Sequence, residues 1–220
     1  MFGFNTKSLA DLKLRRELKD QIHRSRILVI DDQKNAFPTE LLQQEGYNIT
    51  YWECVKTLAP LENGDFDIII LDLNGIATPE QSGKDGVGIL RHIKSYNPSQ
   101  IVIAYSAKKY DFKEGDFWKL ADDFLGKPSP LIACKQKIDE LLQTKFNVEH
   151  YWSILRGRML AESVSEKNIK KLENLIVTKS NKNQHISADE LSGIIKISKE
   201  SLSAAFVIIT IIGKILAKDV

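Results

Sequence analysis

The chain has 220 residues, which is enough for one or two domains with a substantial hydrophobic core. At 43% hydrophobic and 27% charged residues, it has the composition of an ordinary soluble globular protein. The net charge of +2 is unevenly distributed: residues 1–26 carry seven Lys/Arg against three Asp/Glu, residues 27–145 carry 13 against 18, and residues 146–220 carry 11 against eight. An acidic middle between two mildly basic ends argues against one continuous nucleic-acid-binding surface.

The first 25 residues are predicted to form a helix that precedes the main domain. Leu9, Leu12, Leu18 and Ile22 recur at roughly helical spacing, with charged residues between them. Such a helix can lean on its own domain or pair with a helix of a second copy. The same region has no apolar core of signal-peptide length, so we expect a cytoplasmic protein.

The cysteines and the apolar segments favour the same location. Cys54 and Cys134 are the only cysteines and lack metal-ligand spacing, so a reducing cytosol fits them best. The most apolar segment, Ala204–Leu216, is interrupted by polar residues and is shorter than the ~20 residues that a membrane-spanning helix needs. We therefore predict a buried helix there and no membrane association.

An α/β domain is predicted over residues 26–145. Short apolar runs alternate with amphipathic segments, which is the pattern of repeated strand–helix units in a parallel sheet. The run Ile68–Leu71 is apolar at every position, as expected for a central strand that is covered on both faces. We expect a doubly wound, five-stranded parallel sheet with helices on both faces. The five predicted strands lie within residues 27–30, 48–52, 66–73, 101–107 and 122–127.

After residue 145 the strand pattern ends. Residues 147–180 and 187–218 are predicted to form two helices separated by the polar segment SNKNQH, so we expect residues 146–220 to be an all-α region. Ser187 is a predicted helix start, because its hydroxyl can accept a hydrogen bond from an amide of the first turn.

Polar side chains follow four of the predicted strands at their carboxyl ends. The first strand ends in Asp31 and Asp32, and the third in Asp72. The fourth ends in Ser106 and the fifth in Lys127. Ligands of an open parallel sheet bind outside the carboxyl ends of its strands. We therefore expect three carboxylates, a hydroxyl and an ammonium group to converge on one edge of the sheet.

Three neighbouring carboxylates favour a bound cation. Two like charges ~4 Å apart repel each other by about 4 kcal/mol at an effective dielectric near 20, and Mg²⁺ prefers carboxylate, carbonyl and water oxygens. A metal-bound aspartate such as Asp72 is a candidate nucleophile toward phosphorus, which would give an acyl phosphate. Mg²⁺ and Lys127 would then supply positive charge to the phosphoryl oxygens, and the Ser106 hydroxyl would donate one hydrogen bond.

The motifs ILVIDDQ, IILDLNG, IVIAYSA and DDFLGKP occur in this order, and through them the sequence resembles the receiver domain of bacterial two-component response regulators over about 120 residues. The resemblance implies a flavodoxin-like receiver fold in a signalling protein that is not itself an enzyme. It also implies a sensor histidine kinase or a phosphotransfer protein as the partner that delivers the phosphoryl group. By the same resemblance, Asp72 would be the phosphoacceptor. The Mg²⁺ ligands would be Asp31, Asp32, Asp72 and the backbone carbonyl of Asn74. Ser106 would be the switch hydroxyl, Lys127 the family's lysine and Phe124 the switch aromatic.

The loop after Asp72 departs from the family's usual pattern. Residues 74–86, NGIATPEQSGKDG, are about six residues longer than usual, and Ile76 stands where the family has proline. The acceptor and metal residues are retained. The enlarged loop therefore bears on phosphatase access and on the lifetime of the phosphate more than on phosphorylation itself.

Two alternative functions follow from other resemblances. The segment LDLNG also resembles the first motif of haloacid-dehalogenase-type phosphatases, which form an aspartyl phosphate too. That family needs an aspartate where Asn74 stands, and it leaves Asp31 and Asp32 without a role.

Residues 187–212 resemble a degenerate helix-turn-helix, which would make the protein a DNA-binding transcriptional response regulator. A base-reading helix needs Arg, Lys, Asn or Gln on its exposed face, whereas this segment is mostly apolar. We therefore favour residues 146–220 as an output region that forms a homodimer or binds a protein partner, and we do not expect nucleic-acid binding.

Overall fold

The computed structural model describes residue 9 and residues 17–73, 75–76, 86–107 and 119–216. Internal contacts divide the chain into two units, and the second is inserted into the first. Unit 1 comprises Met1–Arg15 and Lys145–Val220, and unit 2 comprises Arg16–Thr144. The division after Thr144 lies beside the predicted boundary at residue 145. The predicted N-terminal segment, residues 1–25, is instead shared between the units.

Unit 2 contains a five-stranded sheet with strand order β2-β1-β3-β4-β5 in which all neighbouring pairs are parallel. This order is that of the flavodoxin-like, doubly wound fold, so the predicted fold class is confirmed. The central strand β3 is buried at all five positions, because helices cover both faces of a doubly wound sheet. The strands are β1 Arg26–Ile30, β2 Asn48–Trp52, β3 Ile68–Asp72, β4 Ile101–Ser106 and β5 Asp123–Gly126.

Five described helices accompany this sheet. The N-terminal helix α1 packs against α5 and β2, which is why it belongs to unit 2. It begins at Leu18, and residues 1–8 and 10–16 of the helix predicted over residues 1–25 lie outside the described part of the chain. The helices of unit 2 are α1 Leu18–Arg24, α2 Thr39–Gln44, α3 Ala59–Glu62, α4 Gly86–Tyr96 and α5 Leu131–Thr144.

The C-terminal part of unit 1 is helical throughout, but it contains four helices where two were predicted. The first predicted helix is interrupted at Ser163, which adopts a positive φ of 60° while the Val164 amide donates to the Met159 carbonyl. Ser165 then caps the next helix by accepting a hydrogen bond from the Asn168 amide. The helices are α6 Val148–Ala161, α7 Glu166–Asn181, α8 Ala188–Ile194 and α9 Lys199–Leu216.

The helical core of unit 1 includes one residue from the N-terminal end of the chain. Leu9 is 1% exposed and packs within the same apolar cluster as residues of α6, α7 and α9. Its backbone amide donates a 2.9 Å hydrogen bond to Oε1 of Glu173, a mostly buried residue of α7. Unit 1 is therefore built from both ends of the chain.

Helix α9 is the most apolar helix of unit 1, and it is buried along most of its length. Its buried residues include Ile208, Ile212 and Ile215, as predicted for a helix with apolar residues on several faces. Among the described helices, none combines the length and apolar character required to cross a bilayer.

Candidate metal centre at the carboxyl edge of the sheet

The carboxyl edge of the sheet brings together the polar residues predicted to form a site. Asp31 directly follows β1, Asp72 is the last residue of β3, and Ser106 is the last residue of β4. Lys127 directly follows β5, and its backbone amide donates to the Ser106 carbonyl at 2.9 Å. Four neighbouring strands of one parallel sheet therefore deliver these side chains to a common edge.

Lys127 joins the two buried aspartates of this edge. Its Nζ lies 2.6 Å from Oδ2 of Asp72, 2.9 Å from Oδ1 of Asp31 and 2.8 Å from Oδ2 of Asp31. The three side chains are 8%, 5% and 0% exposed for Lys127, Asp72 and Asp31, respectively. Such short contacts between shielded charges are strong, because little water screens them.

The pKa values of the two residues at the centre of this cluster are both raised. Burial is the largest influence on Asp31 and raises its pKa, and the hydrogen bonds from Lys127 and from the Gln33 amide lower it only in part. For Lys127, burial is again the largest single influence and lowers the pKa. The hydrogen bonds and negative charges of Asp31 and Asp72 together outweigh burial, so the net pKa of Lys127 rises.

The three aspartates also have the composition and spacing of a divalent-cation site. Asp31, Asp32 and Asp72 each offer an oxygen atom within 4.8 Å of the others. Mg²⁺ binds oxygen ligands at about 2.1 Å, so carboxylates this close together could share one ion. Oδ2 of Asp31 is buried and lies 2.8 Å from Nζ of Lys127, but it accepts no well-directed hydrogen bond from the described residues. With Lys127 the cluster carries a formal charge of −2, which one divalent cation would balance. The residues present therefore fit Mg²⁺.

Two glycines that the sequence analysis did not single out shape this site. Gly75 has a φ of +75°, and a Cβ atom there would lie 2.3 Å from Oδ2 of Asp32. At Gly86, the first residue of α4, a Cβ atom would lie 2.2 Å from the Asp72 carbonyl oxygen. The positive φ favours glycine at position 75, and at position 86 only glycine fits so close to the backbone of Asp72 and Leu73. Two signals in the sequence could have identified these glycines: Gly75 belongs to the predicted acceptor motif, and Gly86 lies at a predicted helix start.

Two tyrosines also support the site and were not predicted. The ring of Tyr105 lies under Lys127, whose Nζ is 4.9 Å from the ring centroid. The Tyr51 hydroxyl donates to the Asp31 carbonyl. Tyr105 is fully buried and Tyr51 is partly buried, both lie near the carboxylates, and burial is the largest cause that raises the pKa of each to about 12. They read in the sequence as ordinary strand residues, so nothing in the pattern distinguished them.

The structure describes the positions of two further predicted site residues, Ser106 and Phe124, but not that of Asn74. Ser106 is 1% exposed at the end of β4, and Phe124 is a partly buried residue of β5 that packs against the apolar cluster around β3. Their predicted switch roles stay predictions. Asn74, whose backbone carbonyl was predicted to bind the cation, lies outside the described residues. Residues 77–85 of the enlarged loop also lie outside them.

Strand order and strand-end chemistry together define unit 2 as a flavodoxin-like α/β domain with an acidic site at the carboxyl edge of its sheet. Solved structures similar to it are receiver domains, as the sequence motifs predicted. A response regulator protein from Thermotoga maritima, solved in complex with Mg²⁺-BeF, is 27% identical, with 53% of this chain and 98% of that chain covered and a TM-score of 0.43.

Two further receiver domains match over the same part of the chain. The receiver domain of a Francisella response regulator is 24% identical, with 54% of this chain and 96% of that chain covered and a TM-score of 0.45. A CheY-like receiver domain protein from Methanospirillum hungatei is 23% identical, with 55% and 95% covered and a TM-score of 0.43. Neither the models of known protein families nor the curated proteins match the sequence. The strand order carries the conclusion that the predicted receiver-like fold is present.

The segment predicted to resemble a helix-turn-helix folds as α8, a short connection and α9. The face of α9 that a DNA-reading helix would present has few groups that can read bases. It offers two lysines, one glutamate and no Arg, Asn or Gln, which does not favour the DNA-binding alternative. The exposed residues of α9 are Lys199, Glu200, Ser203, Phe206, Thr210 and Lys214.

Proposed function

We propose that this chain is a cytoplasmic, response-regulator-like signalling protein whose receiver unit accepts a phosphoryl group on Asp72 with the help of Mg²⁺. The observation that carries the proposal is the convergence of Asp31, Asp32 and Asp72 within 4.8 Å, together with the 2.6 Å contact between Lys127 and Asp72. These residues come from three strands of the sheet, so their meeting is a property of the fold and not of one local segment.

The chemistry assigned to Asp72 is nucleophilic attack on phosphorus. A carboxylate oxygen of Asp72 forms the new O–P bond, the bond between phosphorus and the donor breaks, and the leaving group keeps its electron pair. The product is a mixed carboxylic–phosphoric anhydride on Asp72. The donor would be a phosphohistidine of a sensor kinase or phosphotransfer protein, or a small acyl phosphate.

The other residues of the site would bind and orient the transferring group. When bound, Mg²⁺ would offset negative charge on the phosphoryl oxygens, held by Asp31, Asp32, Asp72 and the Asn74 carbonyl. Lys127 is already within hydrogen-bond distance of the acceptor carboxylate and can move its ammonium to a phosphoryl oxygen. Ser106 would donate to another oxygen.

The arrangement gives less support to the phosphatase alternative. That alternative has no role for Asp31, yet Asp31 is fully buried and contacts Lys127 at 2.8 Å and 2.9 Å. A receiver function uses both residues. It also makes the protein a signalling component and not an enzyme that turns over a small substrate.

We assign the output to the helical part of unit 1. Phosphorylation would draw Ser106 toward the new phosphate and change the packing of Phe124, and the resulting population shift would alter what the helices bind. A protein partner or a second copy of the chain fits this region better than nucleic acid, because the exposed face of α9 has few base-reading groups.

The proposal predicts that the full-length protein gains one phosphoryl group when it is treated with acetyl phosphate and Mg²⁺. Intact-mass spectrometry measures the gain, and Asp72→Ala should abolish it because the nucleophile is removed. Asp65→Ala, at an exposed aspartate of the same unit, is the matched control and should be modified like the wild type. Chelation of Mg²⁺ should also prevent the reaction.

Two results would contradict this function: a wild-type protein that gains no mass, or an Asp72→Ala variant that gains as much as the wild type. Size-exclusion chromatography of the same samples tests the output. Turnover of a phosphomonoester that disappears in Asp72→Asn would support the phosphatase alternative instead.

A further inference from the structure

Tyr105 lies beside the acidic site, on the face of the sheet opposite to Phe124. In the sheet it is the register partner of Asp72. Side chains alternate between the two faces along a strand, and Ala104, the residue before Tyr105, packs in the same apolar cluster as Phe124. Tyr105 therefore faces the other side, where its ring meets the ring of Phe37 edge to face, with the centroids 5.4 Å apart. Both of these rings are buried.

The ring of Tyr105 limits where the ammonium group of Lys127 can lie. Nζ of Lys127 is 4.9 Å from the ring centroid and 2.6 Å from Oδ2 of Asp72. An aromatic face attracts a cation but accepts only weak hydrogen bonds, so the ring favours the charge without competing with the carboxylates for the N–H groups. Because the Lys127 side chain is only 8% exposed, little water is available to draw the ammonium away. The ring and the carboxylates together hold it beside the acceptor oxygen.

The orientation of this ring is fixed by the segment between β1 and α2. The Tyr105 hydroxyl donates a hydrogen bond to the Ala36 carbonyl, which anchors the far end of the side chain. The ring of Phe37, the next residue of that segment, packs against Tyr105. A buried phenol that has both a hydrogen-bond partner and a close aromatic neighbour is restricted to one orientation. The β1–α2 segment therefore helps to place the ammonium of Lys127.

We infer that Tyr105 is a positioning residue, whose ring holds the Lys127 ammonium beside the Asp72 acceptor and whose hydroxyl fixes that ring to the β1–α2 segment. How Lys127 is held follows from the contacts alone, whereas the effect on phosphoryl transfer rests on the proposed function. A cation that is already in place needs little reorganisation when the phosphoryl group arrives, which favours transfer. Tyr105 acts through Lys127 and does not itself bind the phosphoryl group.

The contact is tested in the full-length protein, without Mg²⁺ or a phosphodonor, by NMR of the Lys127 side chain. Protons over an aromatic face are shifted upfield by the ring current, so the ε-methylene protons of Lys127 should resonate upfield of ordinary lysine values. Lys127→Met identifies these signals by their disappearance. Tyr105→Phe should retain the shift because it retains the ring, and Tyr105→Leu should remove it.

Tyr47→Leu is the matched control for the loss of a buried tyrosine. Tyr47 belongs to the same unit and is 3% exposed, and its ring centroid lies 5.0 Å from Nζ of Lys135. This second tyrosine–lysine contact does not involve the acidic site. Tyr47→Leu should therefore leave the Lys127 signals unchanged.

The consequence for reactivity is measured as the initial rate of phosphorylation by acetyl phosphate with Mg²⁺, followed by intact mass. Tyr105→Leu should react roughly tenfold more slowly than the wild type, as expected for the loss of one shielded cation–π contact. Tyr105→Phe should react at close to the wild-type rate because its ring remains, and so should Tyr47→Leu. A merely structural defect would affect both leucine variants and would not separate their rates.

Wild-type Lys127 signals without an upfield shift would overturn the inference. Equal rates for Tyr105→Leu and the wild type, or for Tyr105→Leu and Tyr105→Phe, would also overturn it. If Tyr105→Leu does not fold, the spectra of the wild type and of Tyr105→Phe decide the point. A wild-type protein that gains no phosphoryl group would instead contradict the proposed function, and the NMR comparison would still decide whether Tyr105 holds Lys127.

Discussion

Lys127 holds two buried carboxylates together at the acidic edge of the sheet. Asp31 follows β1 and Asp72 ends the neighbouring central strand β3, and the ammonium group is within 2.9 Å of each carboxylate. A buried charge is stable only when it is paired or hydrogen-bonded. Removing one partner leaves the remaining charges buried without compensation, which lowers the free energy of unfolding. Lys127 therefore stabilises the domain in addition to any part it takes in phosphoryl transfer.

Substitution of Lys127 by methionine, which retains the length and loses the charge, is predicted to destabilise unit 2. The loss should be about 3–5 kcal/mol when the protein is unfolded by urea without Mg²⁺, because Asp31 and Asp72 lose their buried partner. Added Mg²⁺ should recover part of this loss by binding the native carboxylates.

The matched control is Lys135→Met, which removes an exposed lysine 3.4 Å from Glu45 and should cost no more than about 1 kcal/mol. Equal losses for the two variants would show that the buried cluster does not depend on Lys127.

The charged residues of the site were predicted from the sequence, but the two glycines that allow close backbone packing around them were not. Asp31, Asp72 and Lys127 could be placed on one edge because the carboxyl ends of parallel strands always share an edge. Gly75 is favoured by its φ of +75°, and Gly86 by the Asp72 carbonyl oxygen, which would lie 2.2 Å from a Cβ atom there; both depend on the path of the backbone in three dimensions. No one-dimensional pattern reports such an approach.

At the scale of elements, apolar periodicity located the strands better than the helix ends. Four of the five strands fall within the predicted runs and β1 begins one residue earlier, at Arg26, because each is a short, mostly apolar segment bounded by polar residues. The two long helices predicted after residue 145 are four in the structure. Ser163 and its neighbours interrupt the first, because a serine in the left-handed region ends a helix that the apolar pattern alone would continue.

The start of α8 shows how one side chain can connect two elements. Glu190 completes a capping box with Ser187 and also pairs with Lys179 of α7. The hydrogen bond from Lys179 is the largest cause that lowers the pKa of Glu190 below its ordinary value of 4.5, and the Ser187 amide lowers it further. A carboxyl group whose pKa is lower in the folded state stabilises that state above its unfolded pKa and loses this effect as the pH falls through the folded pKa.

Glu190→Gln is therefore predicted to reduce the stability of the helical unit at pH 7 and to have a decreasing effect as the pH falls below 4.5. Glutamine keeps an acceptor for the Ser187 amide and removes only the charge. Urea titrations of both proteins between pH 3 and 7 measure the difference, with Glu149→Gln in the first turn of α6 as the control for the helix-dipole contribution. A difference that is constant over this whole range would contradict the role of the charge.

At the scale of the whole molecule, the sequence placed the two types of structure correctly but not their connectivity. An α/β region followed by an all-α region was predicted, and the end of the sheet unit at Thr144 lies close to the predicted boundary. The membership of Leu9 in the helical core was not predictable, because a single buried leucine gives no sign of which distant helices it contacts.

Leu9→Ala is predicted to destabilise unit 1 and to leave unit 2 unchanged. Leu9 is 1% exposed, and truncating a buried leucine to alanine costs about 2–5 kcal/mol. Hydrogen exchange followed by mass spectrometry should show faster exchange in α7 and α9 and unaltered exchange in β3. Leu41→Ala, at an exposed leucine of α2, should change neither region. Faster exchange in both units would contradict the division of the chain.

The amide of Leu9 and the carboxylate of Glu173 are separated by 164 positions in the sequence and by 2.9 Å in space. The polypeptide consequently passes between units 1 and 2 twice, and cleavage at only one of these two connections would not release unit 2. A recombinant fragment starting at the first strand would also deprive the helices of a leucine from their interior. Studies of unit 1 should therefore retain residues from both termini.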